Sequence, residues 1–190
     1  MTRTEDDVEH RQDATTEVRL PDADATRAWG RALAGVLRAG DLLVLTGGLG
    51  AGKTTLTQGL GEGLGVRGQV ASPTFVIARE HPPLPRPDGT RGPALVHVDA
   101  YRLGSLDEVE ALDLDAALDE AVTVVEWGAG WVEGLTDDRL ELRLERPHGG
   151  VDDDVEDAAA GERVLTARGV GGRWEGVTLP GAPDDEGTGA

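Results

Sequence analysis

Apolar residues change their spacing several times along this chain, and each change predicts a different element. Leu42-Leu43-Val44-Leu45 and Ala121-Val122-Thr123-Val124-Val125-Glu126-Trp127-Gly128 are short, largely apolar runs, the pattern of buried strands. Ala94 to Asp99 reads as a third such strand, and the run after Pro73, Thr74-Phe75-Val76-Ile77, as another. Glu17 to Leu20 and Arg139 to Leu144 alternate apolar with polar, so each predicts a strand with one wet face, and Arg163 to Ala167 reads as a further strand. The Arg139 run is expected to join the sheet antiparallel.

Helical spacing appears between these strands. Ala25, Ala28, Trp29, Ala32, Leu33, Val36 and Leu37 form one stripe, with Asp22 as a capping residue before it and Gly40 as the stop. Thr54 to Leu64 predicts a second helix, weakened toward its end by Gly59, Gly61, Gly63 and Gly65. Ser105 to Glu120 reads as an acidic helix in two pieces, and Trp131 to Leu135 as a short helical stretch. Strand–helix alternation of this kind predicts an α/β fold: a mostly parallel sheet flanked by helices, with antiparallel strands added at the C-terminal end.

Composition sets the boundaries. The chain has 190 residues, enough for one domain with its own core. Residues 1–15 carry charge without period and read as a disordered acidic tail; residues 16–175 form the domain; residues 176–190 read as a second disordered tail. Residues 82–93 hold five prolines and predict an exposed, mobile loop, and residues 147–160 an acidic surface loop. There is no cysteine, so disulfides and thiolate metal sites are excluded. Acidic residues number 36 against 18 basic ones, a formal charge of −18, which opposes direct binding of nucleic acid. The polar N-terminus lacks the build of a signal peptide and no apolar run has the ~20 residues of a membrane span. A cytoplasmic location is expected.

The chemistry is concentrated in Gly47-Gly48-Leu49-Gly50-Ala51-Gly52-Lys53-Thr54, followed by Thr55, a full match to the phosphate-binding loop of P-loop NTPases. Glycines let the backbone curl so that N–H groups of Gly48, Leu49, Gly50, Ala51 and Gly52 point at phosphate oxygens. Lys53 is placed to reach the outer phosphates and the Thr54 hydroxyl to ligate Mg²⁺. A strand before the loop and a helix after it supply the required context, with the positive end of the helix dipole facing the phosphates.

Two strands end in carboxylates, Asp99 and Glu126, where a parallel sheet borders its ligand crevice. An apolar strand ending in an acid suits the second Mg²⁺-holding position of a P-loop protein; Asp is commoner there, and Glu126 departs from that pattern. Trp127 has two readings, a cover over the site or core packing. His97 reads as packing on one sheet face. Ser72-Pro73-Thr74-Phe75 also has two, a turn or a loop that senses the γ-phosphate or Mg²⁺.

Four segments in order carry a more specific signal: Gly47–Thr55, Ser72-Pro73-Thr74-Phe75, His97-Val98-Asp99-Ala100-Tyr101-Arg102-Leu103 and Val125-Glu126-Trp127. Together they resemble the bacterial TsaE family (older name YjeE), over about residues 16–168. The resemblance implies a small Mg²⁺-dependent ATPase, binding ATP/ADP, in an assembly with TsaB and TsaD. That assembly makes threonylcarbamoyladenosine at position 37 of tRNAs reading codons that begin with A, and the partners carry the tRNA. It further implies that Lys53 holds phosphates, that Thr54 and Glu126 ligate Mg²⁺, and that Thr55 completes the loop. Asp99 would position the attacking water or stand in the metal's outer sphere, and Ser72 to Phe75 would be a switch-like loop. The family has Val-Glu-Trp at the second carboxylate, which accounts for Glu126. Arg102 is a candidate cation near the transferring phosphate; an ion pair on the following helix explains it as well.

Two other functions share these residues. A small-molecule kinase would use the same loop but needs an arginine-bearing lid, and residues 82–93, with Arg86 and Arg91 among prolines, match a helical lid poorly. A nucleotide-gated binding subunit would need ATP occupancy but not hydrolysis.

Overall fold

In a computed structural model, the structure describes residues 15–71, 78–102, 119–130, 132, 134–147 and 161–181. Seven strands form one sheet: β1 (Thr15–Leu20), β2 (Leu42–Thr46), β3 (Ala78–His81), β4 (Ala94–Asp99), β5 (Ala121–Glu126), β6 (Arg139–Glu145) and β7 (Arg163–Val170). Their spatial order is β1-β7-β6-β2-β5-β4-β3. The continuous apolar run of β2 sits in the middle, parallel to both β5 and β6, and β4 extends the parallel block beyond β5. The outer strands β1, β3 and β7 pair antiparallel with their neighbours. This is the P-loop α/β fold.

Helices α1 (Ala23–Leu33) and α2 (Lys53–Leu64) pack side by side on one face of the sheet. Asp22 caps α1 as expected, its Oδ1 accepting from the Ala25 N–H at 2.7 Å. Trp29 and Leu33, one turn apart, enter the core with Leu56, Leu60, Leu43, Leu45 and Leu142. Each such side chain contributes about 2 kcal/mol on leaving water. The opposite face buries Leu42, Val44, Val96, Val98, Val125 and Val132. Strand alternation therefore sends odd-numbered β2 and β4 residues toward α2, together with Val124 and Glu126 of β5.

Several expectations change. Helix α1 stops at Leu33, before Val36, Leu37 and Gly40; Val36 and Leu37 still pack on the core from the following turns. The α2 glycines weaken an isolated helix, but here they serve packing. A Cβ on Gly59 would overlap the Arg27 carbonyl, and one on Gly30 the Leu56 carbonyl, so the two helices approach backbone to backbone. Strand β6 is parallel to β2 and antiparallel only to β7, because a long connection separates it from β5. The strand predicted at 74–77, most of the 105–120 helix, Trp131, and the acidic loop from 148 to 160 lie outside the described residues.

Residues 82–93 are exposed but tied down. The Arg67 N–H donates to the Pro82 carbonyl and the Leu84 N–H to Gly65, pinning the segment on the end of α2, while Arg86 and Thr90 close a turn. Arg91 Nη1 donates to the Pro83 carbonyl at 3.0 Å. Strand β1 begins at Thr15, inside the segment read as tail. At the other end, residues 176–181 are not a loose tail: Val177 and Leu179 pack on the core, and Trp29 Nε1 donates to the Pro180 carbonyl. Among the described residues no helix is long and apolar enough to cross a membrane.

Candidate phosphate-binding and metal site

The loop between β2 and α2 lies at the C-terminal edge of the parallel strands, where the crevice of an open α/β sheet forms. Gly50 and Gly52 take φ of 72° and 104°, left-handed values that a β-carbon would strain. Gly52 is the N-cap of α2 and has no side chain to occupy the first-turn N–H groups, which leaves them for an anion. Leu49 stands at the tip, 96% exposed, and Ala51 is buried beneath it. Thr55, in the first turn of α2, is half-buried.

Lys53 is only 6% exposed. Its Nζ donates to the carbonyl oxygens of Gly47 at 3.0 Å and Gly48 at 3.1 Å, so the side chain curls back along the loop. The same ammonium lies 4.0 Å from the centroid of the Trp127 ring. Burial lowers the Lys53 pKa from its usual 10.5, opposed in part by the charges of Glu126 and Asp99. Trp127 follows β5 directly with φ of 62°, a left-handed conformation that a bulky residue adopts only under local constraint. Its N–H donates to the Leu45 carbonyl, and its ring meets Tyr101 at 5.4 Å. Trp127 itself is half-buried, its ring set between Lys53 and Tyr101.

The carboxylates stand where the strand ends put them. Asp99 and Glu126 are register partners at the ends of β4 and β5. Glu126 is 4% exposed and faces α2; Thr54 Oγ1 donates to its Oε1 at 3.2 Å. Asp99 is half-buried, and its Oδ1 accepts the Tyr101 N–H at 3.1 Å. Arg102 belongs to the short 3-10 turn Ala100–Arg102, but its side chain is outside the described atoms. Ser72, Pro73, Thr74 and Phe75 are outside the described residues altogether.

Two residues near the site were given no role at it from the sequence. His97, expected to be packing, is fully buried, and its Nε2 lies 2.9 Å from Glu126 Oε1. The i, i+2 spacing from Asp99 was the available signal, since both must share a sheet face. Arg163 of β7 is 2% exposed and lies against the loop, its Nε 3.8 Å from where a Gly52 Cβ would stand. Nothing local in the sequence points to it. Beside the loop opens a cavity of about 550 Å³, lined by Thr46, Gly47, Gly48, Leu49, Arg143 and Arg146 among others.

The donor set suits Mg²⁺ and phosphate. One hydroxyl and one carboxylate converge beside an open loop, hard oxygen ligands too few to enclose a cation, and Mg²⁺ characteristically completes such a site with water and phosphate oxygens. The buried ammonium and uncapped helix end offer positive charge to the phosphates themselves.

A glycine loop between strand and helix, facing a carboxylate on the neighbouring strand, defines a protein of the P-loop class. Comparison with known proteins narrows the class. A family model described as "Threonylcarbamoyl adenosine biosynthesis protein TsaE" matches residues 20–152, and the chain belongs to this TsaE family. Relatives named tRNA threonylcarbamoyladenosine biosynthesis protein TsaE include one from Streptomyces coelicolor, 61% identical over 149 residues, covering 78% of this chain and 93% of the relative. One from Bacillus subtilis is 37% identical over 158 residues, covering 83% and 87%. The crystal structure of Bacillus subtilis YdiB superposes with a TM-score of 0.60 at 33% identity, covering 86% of this chain and 90% of that one.

Proposed function

We propose that the chain is the Mg²⁺-dependent ATPase of threonylcarbamoyladenosine synthesis. It acts with TsaB and TsaD to modify adenosine 37 of tRNAs reading codons that begin with A. The observation that carries the reading is the Thr54–Glu126 contact at 3.2 Å, which joins the phosphate loop to the β5 carboxylate across the crevice. Membership of the TsaE family supports the pathway.

The residues divide the work by position. Loop N–H groups and the Lys53 ammonium take the phosphate oxygens, Lys53 exchanging its bonds to the Gly47 and Gly48 carbonyls for bonds to the ligand. Thr54 and Glu126 would hold Mg²⁺, which supplies charge neutralisation at the phosphates when bound. Asp99, anchored through the Tyr101 N–H, orients the water that attacks the terminal phosphorus. Trp127 covers Lys53 and keeps bulk water from it. The nucleoside is accommodated in the cavity lined by Thr46, Arg143 and Arg146. With a formal charge of −18 the chain leaves tRNA binding to its partners.

The test is ATP hydrolysis by the purified protein, alone and with TsaB and TsaD of the same source, for wild type and Lys53→Ala. Turnover that needs Lys53 and changes with the partners is expected. Turnover indifferent to Lys53 would refute the assignment. Glu126→Gln separates hydrolysis from gating: loss of both hydrolysis and tRNA modification is expected, whereas modification without hydrolysis would favour a nucleotide-gated subunit.

A further inference from the structure

We propose that His97 is a positioning residue for the Glu126 carboxylate, setting which oxygen is offered to the cation. The inference rests on the reading of Glu126 as a Mg²⁺ ligand. Glu126 Oε1 receives two hydrogen-bonding partners at once, His97 Nε2 at 2.9 Å and Thr54 Oγ1 at 3.2 Å, while Oε2 takes neither bond. A carboxylate oxygen can only accept, so the hydrogen of the imidazole lies on Nε2. His97 Nδ1 is buried without a hydrogen-bond partner among the described residues, so Nε2 is the ring nitrogen that bonds, and it bonds to Glu126. Two donors on one oxygen fix the rotation of the carboxyl group, and the other oxygen is left for the metal.

A packing role does not account for this arrangement. Leu95, the preceding β4 residue on the same face, is wholly apolar and fully buried, and an aliphatic side chain at 97 would fit that pattern without desolvating two nitrogens. The bond to Glu126 is what offsets that cost. The pairing also crosses strands: β4 delivers the imidazole and β5 the carboxylate, 29 residues apart in the chain. Sheet register therefore sets the orientation of the carboxylate, and among the described residues the more exposed crevice side contributes Thr54.

The experiment measures ADP and ATP binding by calorimetry, in EDTA and across a Mg²⁺ series, for wild type, His97→Leu and His97→Gln. Wild type should bind more tightly as Mg²⁺ is added. His97→Leu should keep its affinity in EDTA but need about tenfold more Mg²⁺ for the same gain. His97→Gln keeps an N–H donor and should stay within about threefold of wild type. In a Glu126→Gln background, His97→Leu should add nothing, since it acts through Glu126. A folded His97→Leu with an unchanged Mg²⁺ midpoint overturns the proposal, as does His97→Gln impaired to the same degree as His97→Leu. Should His97→Leu fail to fold, ¹⁵N NMR of the wild-type imidazole decides: hydrogen on Nε2 supports the proposal and hydrogen on Nδ1 alone overturns it. A wild type with no Mg²⁺-dependent gain would instead overturn the Mg²⁺ reading of the site itself.

Discussion

Strand β2 has a buried charge near each end, and the two are treated oppositely. Before its first residue, Asp41 is 2% exposed and holds Arg173 through two bonds of 2.8 Å. Its Oδ2 also accepts the Arg38 N–H, and Arg173 spends a further N–H on the Val36 carbonyl while stacking on Trp174. Beyond the last residue of β2, Lys53 is comparably buried, yet its bonds go to carbonyl oxygens and an aromatic face rather than to a carboxylate. A buried charge paired with an opposite charge, its other hydrogen bonds filled by the backbone, is costly to break. A charge held by weaker, exchangeable partners awaits an anion. The first joins the C-terminal segment to the sheet, and the second faces the phosphate loop.

Lys53→Ala should break the functional end most severely. We expect nucleotide turnover to fall about a thousandfold, in line with losing a preorganised charge at a phosphate. Thermal melting should show an unchanged or raised midpoint, because a desolvated ammonium is removed. A collapsed midpoint would mean that Lys53 is structural after all.

Asp41→Ala should do the reverse. Leaving Arg173 buried and unpaired costs about 3 kcal/mol in urea unfolding. Nucleotide affinity in the folded fraction should stay within a factor of two or so of wild type. A large affinity loss would show that the two ends of β2 are coupled.

Trp127→Leu sharpens the contrast by removing the aromatic face above Lys53. Loss of a contact of ~1 kcal/mol should weaken nucleotide binding only a few-fold. The smallest effect comes from pH. Burial holds the Lys53 pKa below 10.5 in the fold, so between that lowered value and 10.5 the unfolded chain binds more protons than the native one. Native stability in the absence of nucleotide should therefore rise with pH across that window, while phosphate affinity falls. Lys53→Ala should abolish both trends, and denaturant midpoints and binding isotherms over the window check them.

The ends of β2 also show what could be read in advance. The phosphate loop was legible because its residues are contiguous: a local backbone shape requires Gly50 and Gly52, whatever the rest of the chain does. Strand β4 was legible to the residue, Ala94–Asp99, since a buried apolar run ending in an acid has few alternatives. Strand β5 was read from Ala121 to Gly128 but ends at Glu126, because Trp127 turns to a positive φ. Gly59 and Gly63 were misread as helix weakeners because their value lies in the Arg27 and Arg31 backbone of another helix. Val177 and Leu179 were read with a polar tail, since two apolar residues among Gly and Pro show no period until Trp29 receives Pro180.

What the sequence determined by itself was therefore local: the phosphate loop, its flanking strand and helix, the acids at two strand ends and the family they resemble. Those features depend on bonds among near neighbours or on a period that one element repeats. The tertiary structure alone decided that β6 runs parallel to β2, that Arg173 closes on Asp41, and that His97 meets Glu126. Each of these joins residues distant in the chain, Arg173 and Asp41 by 132 positions, through sheet register and packing. Their partners are chosen by the free energy of burying whole elements together, which no single segment encodes.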